Sequence, residues 1–330
     1  MSERTLRFLS ASDVVQALPM SEAIEAMKHA FRLLAAGQVV MPPRTHIEAA
    51  EPPGDALVMP SYVPADEAMG IKVVTVYRGN RASGLPVIQA LMLVLDAATG
   101  SPVAVMDGTS LTAIRTGAAS GAATDLLANP DASTVAIFGS GPQARTQLEA
   151  VCTVRSIRRA RVLDPDAARA AAFALEMAER LGVPIEPVPS SANALAEADI
   201  VCTATTSTVP VFADAELAPG AHINAIGSYK PAVREIPGET VRRARVVVDH
   251  RPAALAEAGD LLIPMVEGLI GREHIWAELG EILAGTRPGR QSPGQVTLFK
   301  SVGLAVQDLC AARRVLANAR LRGLGSSLPL

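Results

Sequence analysis

The rhythm of apolar positions changes along the chain. Between residues 21 and 37 they recur every three or four places, at Ile24, Met27, Ala30, Phe31 and Leu34, which predicts an amphipathic helix stopping at Gly37. The stretch Met41-Pro42-Pro43-Arg44-Thr45-His46 follows, held extended by its prolines. From residue 57 to residue 106 the pattern turns strand-like, with Val73, Val74, Val76 and Tyr77 in one run and residues 87–95 in another. Gly79-Asn80, Ser83-Gly84 and Thr99-Gly100 supply turns, so consecutive strands in an antiparallel or mixed sheet are expected. After Thr112 a run of small residues, from Gly117 through Ala118, Ala119, Ser120, Gly121 and Ala122 to Ala123, predicts a helix able to pack closely on a neighbour.

At Ser133 short apolar strands begin to alternate with Ala-rich helices. Strands are expected at 134–138, 160–163, 185–188, 200–203, 222–225 and 246–248, and helices near 142–153, 167–181 and 193–197. Strands that read as continuous apolar runs are buried on both faces. The fold class is therefore α/β, a Rossmann-type doubly wound parallel sheet. A long Ala- and Leu-rich helix is expected from Thr297 toward Leu321, with residues 323–330 as a loose tail.

Composition narrows the picture. The 330 residues suffice for two domains of roughly 150 residues each. With 49% hydrophobic and 19% charged residues the chain can bury large cores, and with 3% aromatics those cores must be built of Ala, Val, Leu and Ile. A net charge of -3 without a basic stripe excludes nucleic acid as the expected partner. No apolar run reaches the roughly 20 residues of a membrane span, and Met1 to Phe8 lacks the apolar core of a signal peptide, so a cytoplasmic protein is expected. Cys152, Cys202 and Cys310 are too scattered for a disulfide framework and read as buried thiols. The histidines form no close metal-ligand pair, so no metal site is expected.

The segment Val135-Ala136-Ile137-Phe138-Gly139-Ser140-Gly141-Pro142-Gln143-Ala144 is a strand running into G-x-G-x-x-A, a dinucleotide-binding pattern. Gly139 permits the tight turn, Gly141 lets the backbone approach a pyrophosphate, and Ala144 allows close helix–strand packing. Pro142 suits a first helical turn, whose free N–H groups attract phosphate. Asp164 lies twenty residues past Ala144, where a carboxylate can accept from the adenosine ribose hydroxyls. It would repel a 2′-phosphate, which favours NAD(H) and leaves NADP(H) as the alternative. A helix cap ahead of Ala167 is the other reading of Asp164. Ligands bind at the carboxyl ends of strands in open α/β sheets, which adds Thr205 and Ile226-Gly227-Ser228 to the cofactor contacts.

The second reactant needs a grip outside the nucleotide unit. Arg44, Lys72 and Arg115 are the candidates, because a guanidinium fork matches a carboxylate and a lysine serves as point charge or proton relay. Lys72 stands between Gly70-Ile71 and Val73-Val74, so its flanks read as buried, and a buried lysine usually has a task.

These segments have a counterpart in a known family. Met41-Pro42-Pro43-Arg44, Gly70-Ile71-Lys72, Thr112-Ala113-Ile114-Arg115-Thr116-Gly117-Ala118 and Phe299-Lys300-Ser301-Val302-Gly303, together with the glycine loop, resemble the ornithine cyclodeaminase/mu-crystallin family in the right order over nearly the whole chain. The resemblance implies a homodimer. It implies a substrate-binding and dimerisation domain made of residues 1–120 plus 302–330, with an NAD(P)-binding Rossmann domain, residues 121–301, inserted between them. It implies α-amino or α-imino acid substrates whose carboxylate is held by Arg44, Lys72 and Arg115, with Ser301 and Val302 adjoining. Cofactor contacts are implied at Gln143, Asp164, Thr205 and Ser301.

One departure matters. Ornithine cyclodeaminases carry Gly-Gly-Asp after the strand matching 222–225, the aspartate being the acid/base, whereas this chain reads Gly227-Ser228-Tyr229. A phenol supplies no carboxylate for a second ammonium group. The Gly-Ser-Tyr form, with Pro231 and Arg234-Glu235-Ile236 after it, resembles family members that reduce cyclic imino acids such as Δ1-pyrroline-2-carboxylate to proline. The expected activity is a ketimine reductase, with Lys72, Arg115 and Tyr229 as catalytic candidates, Tyr229 alternatively serving only to pack. Ornithine cyclodeaminase, an alanine dehydrogenase-like enzyme and a non-catalytic cofactor binder are the alternatives.

Overall fold

A computed structural model describes residues 5–330; Met1 to Arg4, the start of the charged N-terminus, lie outside the described residues. The chain divides into two compact units, one of residues 1–115 with 304–330 and the other of residues 116–303. The division falls inside the helix Gly108–Leu127.

The first unit is built on a seven-stranded sheet in the order Ser326–Pro329, Thr5–Leu9, Pro102–Asp107, Ile88–Asp96, Ala68–Val76, Gly54–Val63, Thr45–Ala49. Neighbours run antiparallel except Thr5–Leu9 with Pro102–Asp107, so the sheet is mixed. Alternation decides its two faces. Gly70, Lys72 and Val74 point inward with Ala90, Met92 and Val94, and the helices Met20–Ala35 and Ala305–Arg322 belong to the covered side. The packing is tight at Gly70, where a Cβ would stand 2.5 Å from Met92 Cε and 2.9 Å from Leu309 Cδ1.

The second unit holds an eight-stranded, wholly parallel sheet. Its order is Ile275–Glu278, Arg245–Val248, Thr297–Lys300, His222–Ala225, Ile200–Thr203, Thr134–Phe138, Arg159–Leu163, Ile185–Pro187. Val135, Ile137, Val162 and Cys202 pack on one face with Leu148, Phe173 and Met177. Ala136, Phe138, Val201, Ile223 and Leu298 fill the other. Both faces are thus covered, which is why the strands carry little polar alternation. The chain leaves Thr134–Phe138 outward to two strands and then returns to Ile200–Thr203 on its other side. In open α/β sheets a reversal of this kind marks the ligand-binding crevice, at the carboxyl ends of these two strands.

Two expectations about the C-terminal part are corrected. Residues 297–300 are not the start of the long helix: Thr297-Leu298-Phe299-Lys300 is a fully buried strand hydrogen-bonded on both sides, and the helix begins at Ala305. Gly303, at φ +80, turns the chain between them. A four-residue strand just ahead of a helix is too short to show a period that sets it apart from the helix's first turn, and the strand Ile275–Glu278 is hidden in the same way. The tail is not loose: Ser326–Pro329 adds an antiparallel edge strand to Thr5–Leu9. Among the described residues no helix is long and apolar enough to cross a membrane.

Candidate active site

In the first unit, the strand Ala68–Val76 and the helices Gly108–Leu127 and Ala305–Arg322 bring three charges together. Lys72 Nζ lies 2.6 Å from Asp308 Oδ2, and Arg115 Nε lies 2.9 Å from Asp308 Oδ1. Lys72 is 2% exposed, Arg115 6% and Asp308 0%. Lys72 Nζ also donates to Thr112 Oγ1 at 3.4 Å, and Arg115 Nη1 donates to Gln307 Oε1 at 3.1 Å. Gln307 Oε1 accepts from Leu304 N as well, which ties this corner to the start of the helix.

Two cations share one carboxylate, so the trio carries a net charge of one positive in a dry place. Burial pushes the Lys72 ammonium down to about 8; Asp308 opposes this, and the charges of Arg115 and Arg44 add to it. Burial would raise the Asp308 carboxyl, but the two cations outweigh it and hold the group below the ordinary carboxylate value. Arg44, half-buried, is therefore close enough for its charge to act on Lys72.

In the second unit, the glycine loop follows its strand as the pattern requires. Gly139 stands at φ +95, and a Cβ there would meet Ala204 O at 2.7 Å. No L side chain suits that turn. Gly141 caps the helix Pro142–Val154 and has open space where a Cβ would point; Ala144 is fully buried. Gln143 Oε1 is buried with no hydrogen-bond partner. An orphaned acceptor beside free helix N–H groups and an open glycine fits a bound group that offers hydroxyl or amide donors and a pyrophosphate.

Asp164 follows the neighbouring strand and faces this loop. Its Oδ2 accepts from Ser140 N at 3.0 Å and Ser140 Oγ at 2.6 Å, and Arg169 Nη2 stands 3.7 Å away. Burial pushes its carboxyl up, but these partners prevail and hold it low, so it is a carboxylate at neutral pH. It does not cap the following helix; Asp166 does, accepting from Ala168 N and Arg169 N.

Thr205 and Ile226-Gly227-Ser228 follow the strands Ile200–Thr203 and His222–Ala225, and both loops bond to Glu235. Ser301 Oγ donates to Asp249 Oδ2 at 2.7 Å; Val302 N and Gly303 N donate to the same oxygen at 2.8 and 2.9 Å, so Asp249 fixes this turn. Tyr229 packs, partly buried, against the apolar core of its unit. The thiols of Cys152, Cys202 and Cys310 are each pushed up to about 12, by burial above all, and are poor nucleophiles.

Sequence reasoning missed Asp308, Asp249 and Asp260, and read Glu235 and Lys300 only as parts of motifs. Asp308 left a usable signal. It is the one acid of the helix Ala305–Arg322, and two cations that are to be buried need a counter-charge.

A family model described as ornithine cyclodeaminase/mu-crystallin matches residues 4–322. A Δ1-pyrroline-2-carboxylate reductase of Bacillus cereus is 40% identical over 321 residues, spanning 97% of this chain and 98% of that protein. The solved structure of Thermococcus litoralis Δ1-pyrroline-2-carboxylate reductase in complex with NADH and L-proline superimposes with a TM-score of 0.95 at 44% identity, covering 98% of this chain and all of the other. An archaeal alanine dehydrogenase dimer with bound NAD reaches a TM-score of 0.92 at 35% identity, covering 99% of this chain and all of the other.

The Asp308→Asn variant tests the charge trio. It leaves two buried cations without a carboxylate, so stability should fall by about 3–5 kcal/mol, read as a lower urea midpoint. Loss of the attraction that holds Lys72 up should also move the lysine further below about 8, read as a titration shift of that side chain.

Proposed function

The chain belongs to the ornithine cyclodeaminase/mu-crystallin family, and within it we propose that it reduces Δ1-pyrroline-2-carboxylate or a similar cyclic α-imino acid to the amino acid with NADH. The observation that carries the substrate class is the buried trio Lys72–Asp308–Arg115, whose unbalanced positive charge calls for an anionic ligand. A substrate carboxylate is that anion.

The first unit acts as the substrate domain and the second as the nucleotide domain. NADH, when bound, supplies the hydride that reduces the imine carbon. Arg115 and Arg44 hold the carboxylate, and Asp308 fixes Arg115 through its Nε so that the guanidinium presents one defined edge. Lys72 gives the ring nitrogen its proton. A pKa near 8 suits that step, since the group is mostly protonated at neutral pH and yet gives its proton readily. The C=N bond thus gains one hydride at carbon and one proton at nitrogen, and solvent returns the proton to Lys72. Gln143, Gly141 and the start of the helix Pro142–Val154 bind the pyrophosphate side of the cofactor, and Asp164 its adenosine ribose. Thr205, Ile226 to Ser228 and Ser301 line the rest. Tyr229 closes this lining by packing. The acid of the cyclodeaminases is missing at that place, which disfavours ornithine as substrate. NADP(H) is a weaker cofactor in this reading, because Asp164 is charged. A cytoplasmic location belongs to the same reading.

A homodimer follows from the open face of the mixed sheet. Val58, Val73 and Leu91 lie side by side across three strands, as do Pro60, Ile71, Leu93 and Val105 across four. Val73 is 42% exposed and Leu91 56%. A contiguous apolar face of this kind marks an interaction surface, and a second copy of the chain is the partner proposed.

Incubation with Δ1-pyrroline-2-carboxylate and NADH should consume NADH, while ornithine with NAD+ should release no ammonia and pyruvate with ammonia should react far more slowly. Lys72→Met should lower kcat by about 100-fold or more while NADH still binds. Its fold should survive, because Asp308 keeps Arg115 as partner. In the parent protein kcat should fall as pH rises through about 8, where Lys72 loses its proton; a flat profile contradicts the proton role. Leu91→Glu should convert a dimer to a monomer in sedimentation, with the secondary structure unchanged.

A further inference from the structure

Resting on the cofactor assignment above, we propose that Glu235 is a positioning residue for NADH, clamping the two loops that follow the strands Ile200–Thr203 and His222–Ala225. Its carboxylate receives bonds from both. Thr205 N and Thr205 Oγ1 donate to Oε1 at 2.8 and 2.7 Å, and Ser228 N and Thr203 Oγ1 donate to Oε2 at 3.1 Å each. Four donors on one fully buried carboxylate fill its lone-pair sites. Gly227 completes the clamp, since a Cβ there would meet Glu235 Oε2 at 2.4 Å and Oε1 at 2.6 Å.

The clamp is itself braced. Asp260 Oδ1 accepts from Glu235 N at 2.7 Å and from Ile236 N at 3.0 Å, and its Oδ2 lies 2.7 Å from Lys300 Nζ. Lys300 Nζ also donates to Ser228 O, returning the chain of bonds to the same loop. Glu235, Asp260 and Lys300 are all 0% exposed, so two acids share one cation out of water. Such an arrangement is costly, and a well-packed apolar group would stabilise the core as well or better. What the carboxylate supplies that an apolar group cannot is a fixed distance between two loops.

The charge state of Glu235 therefore matters. Burial pushes its carboxyl above the usual value, Asp260 adds to this, and Lys300 and Thr205 oppose it. Asp260 and Lys300 are the charged groups that face it. As pH falls, Glu235 takes a proton earlier than an ordinary carboxylate, one oxygen becomes a donor facing donors, and the loops loosen.

The test is NADH affinity, read by the fluorescence of bound NADH, in Glu235→Gln, Thr203→Val and the double variant. The amide of Glu235→Gln leaves buried donors unpaired and should weaken NADH about tenfold or more. Thr203→Val removes one donor isosterically and should weaken it about threefold in the parent protein but not further in Glu235→Gln. The KM for the imine at saturating NADH should stay unchanged. NADH affinity of the parent protein should fall toward acid pH, and that of Glu235→Gln should not. Parent-like NADH binding by Glu235→Gln, or fully multiplicative effects of the two substitutions, overturns the proposal. If Glu235→Gln fails to fold, unchanged affinity in Thr203→Val overturns it instead. A parent protein that does not bind NADH at all contradicts the proposed function; a parent that binds and a Glu235→Gln that binds equally contradict only this inference.

Discussion

A carboxylate held between two cations away from water governs the first unit. Asp308 cannot be charged where it lies without a cation beside it, and Lys72 and Arg115 together would not tolerate burial without Asp308. The surrounding architecture meets that requirement. The inward face of the strand Ala68–Val76 presents Lys72, Gly70 lets the C-terminal helix approach, and that helix carries Asp308 in its first turn, where a negative charge also suits the dipole. The C-terminal residues are thereby part of the site although more than two hundred positions separate Asp308 from Lys72. The cluster is left one positive charge in excess, and in the proposed function that excess is what receives the substrate carboxylate.

The second unit solves a different problem with similar means. Its parallel sheet presents loop after loop at one edge, and each must keep its shape without support from regular hydrogen bonding. Buried carboxylates serve as the fasteners. Asp164 takes Ser140 of the glycine loop, Glu235 takes Thr205 and Ser228, and Asp249 takes Ser301, Val302 and Gly303. Each accepts backbone N–H groups that would otherwise be orphaned near the crevice. A rigid crevice loses little entropy when a dinucleotide is bound.

Much of this was legible from residues alone, for identifiable reasons. Gly139 is forced by its positive φ and by Ala204 O, Gly141 leaves open space at the helix start and Ala144 is fully buried, so the pattern announces itself. The strands Thr134–Phe138 and Ile200–Thr203 were readable because burial on both faces writes a nearly continuous apolar run. Lys72 stood out because its neighbours were apolar. The strand Thr297–Lys300 was not legible, since four residues ahead of a helix are too few to show a period of their own. Asp308, Glu235 and Asp260 were hidden for another reason. A buried acid is defined by its partners, and these come from distant parts of the chain that only the fold brings together. The edge strand Ser326–Pro329 lacks any apolar stripe and owes its form to Thr5–Leu9.

In the proposed function the excess positive charge beside Asp308 holds the substrate carboxylate. Calorimetric titration of the NADH-loaded protein with pyrrole-2-carboxylate and with pyrrole-2-carboxamide, two planar rings alike in size and differing in charge, tests it most directly. The carboxylate should bind about 100-fold more tightly, the worth of one or two charge-assisted hydrogen bonds. Equal affinity for the two would contradict it.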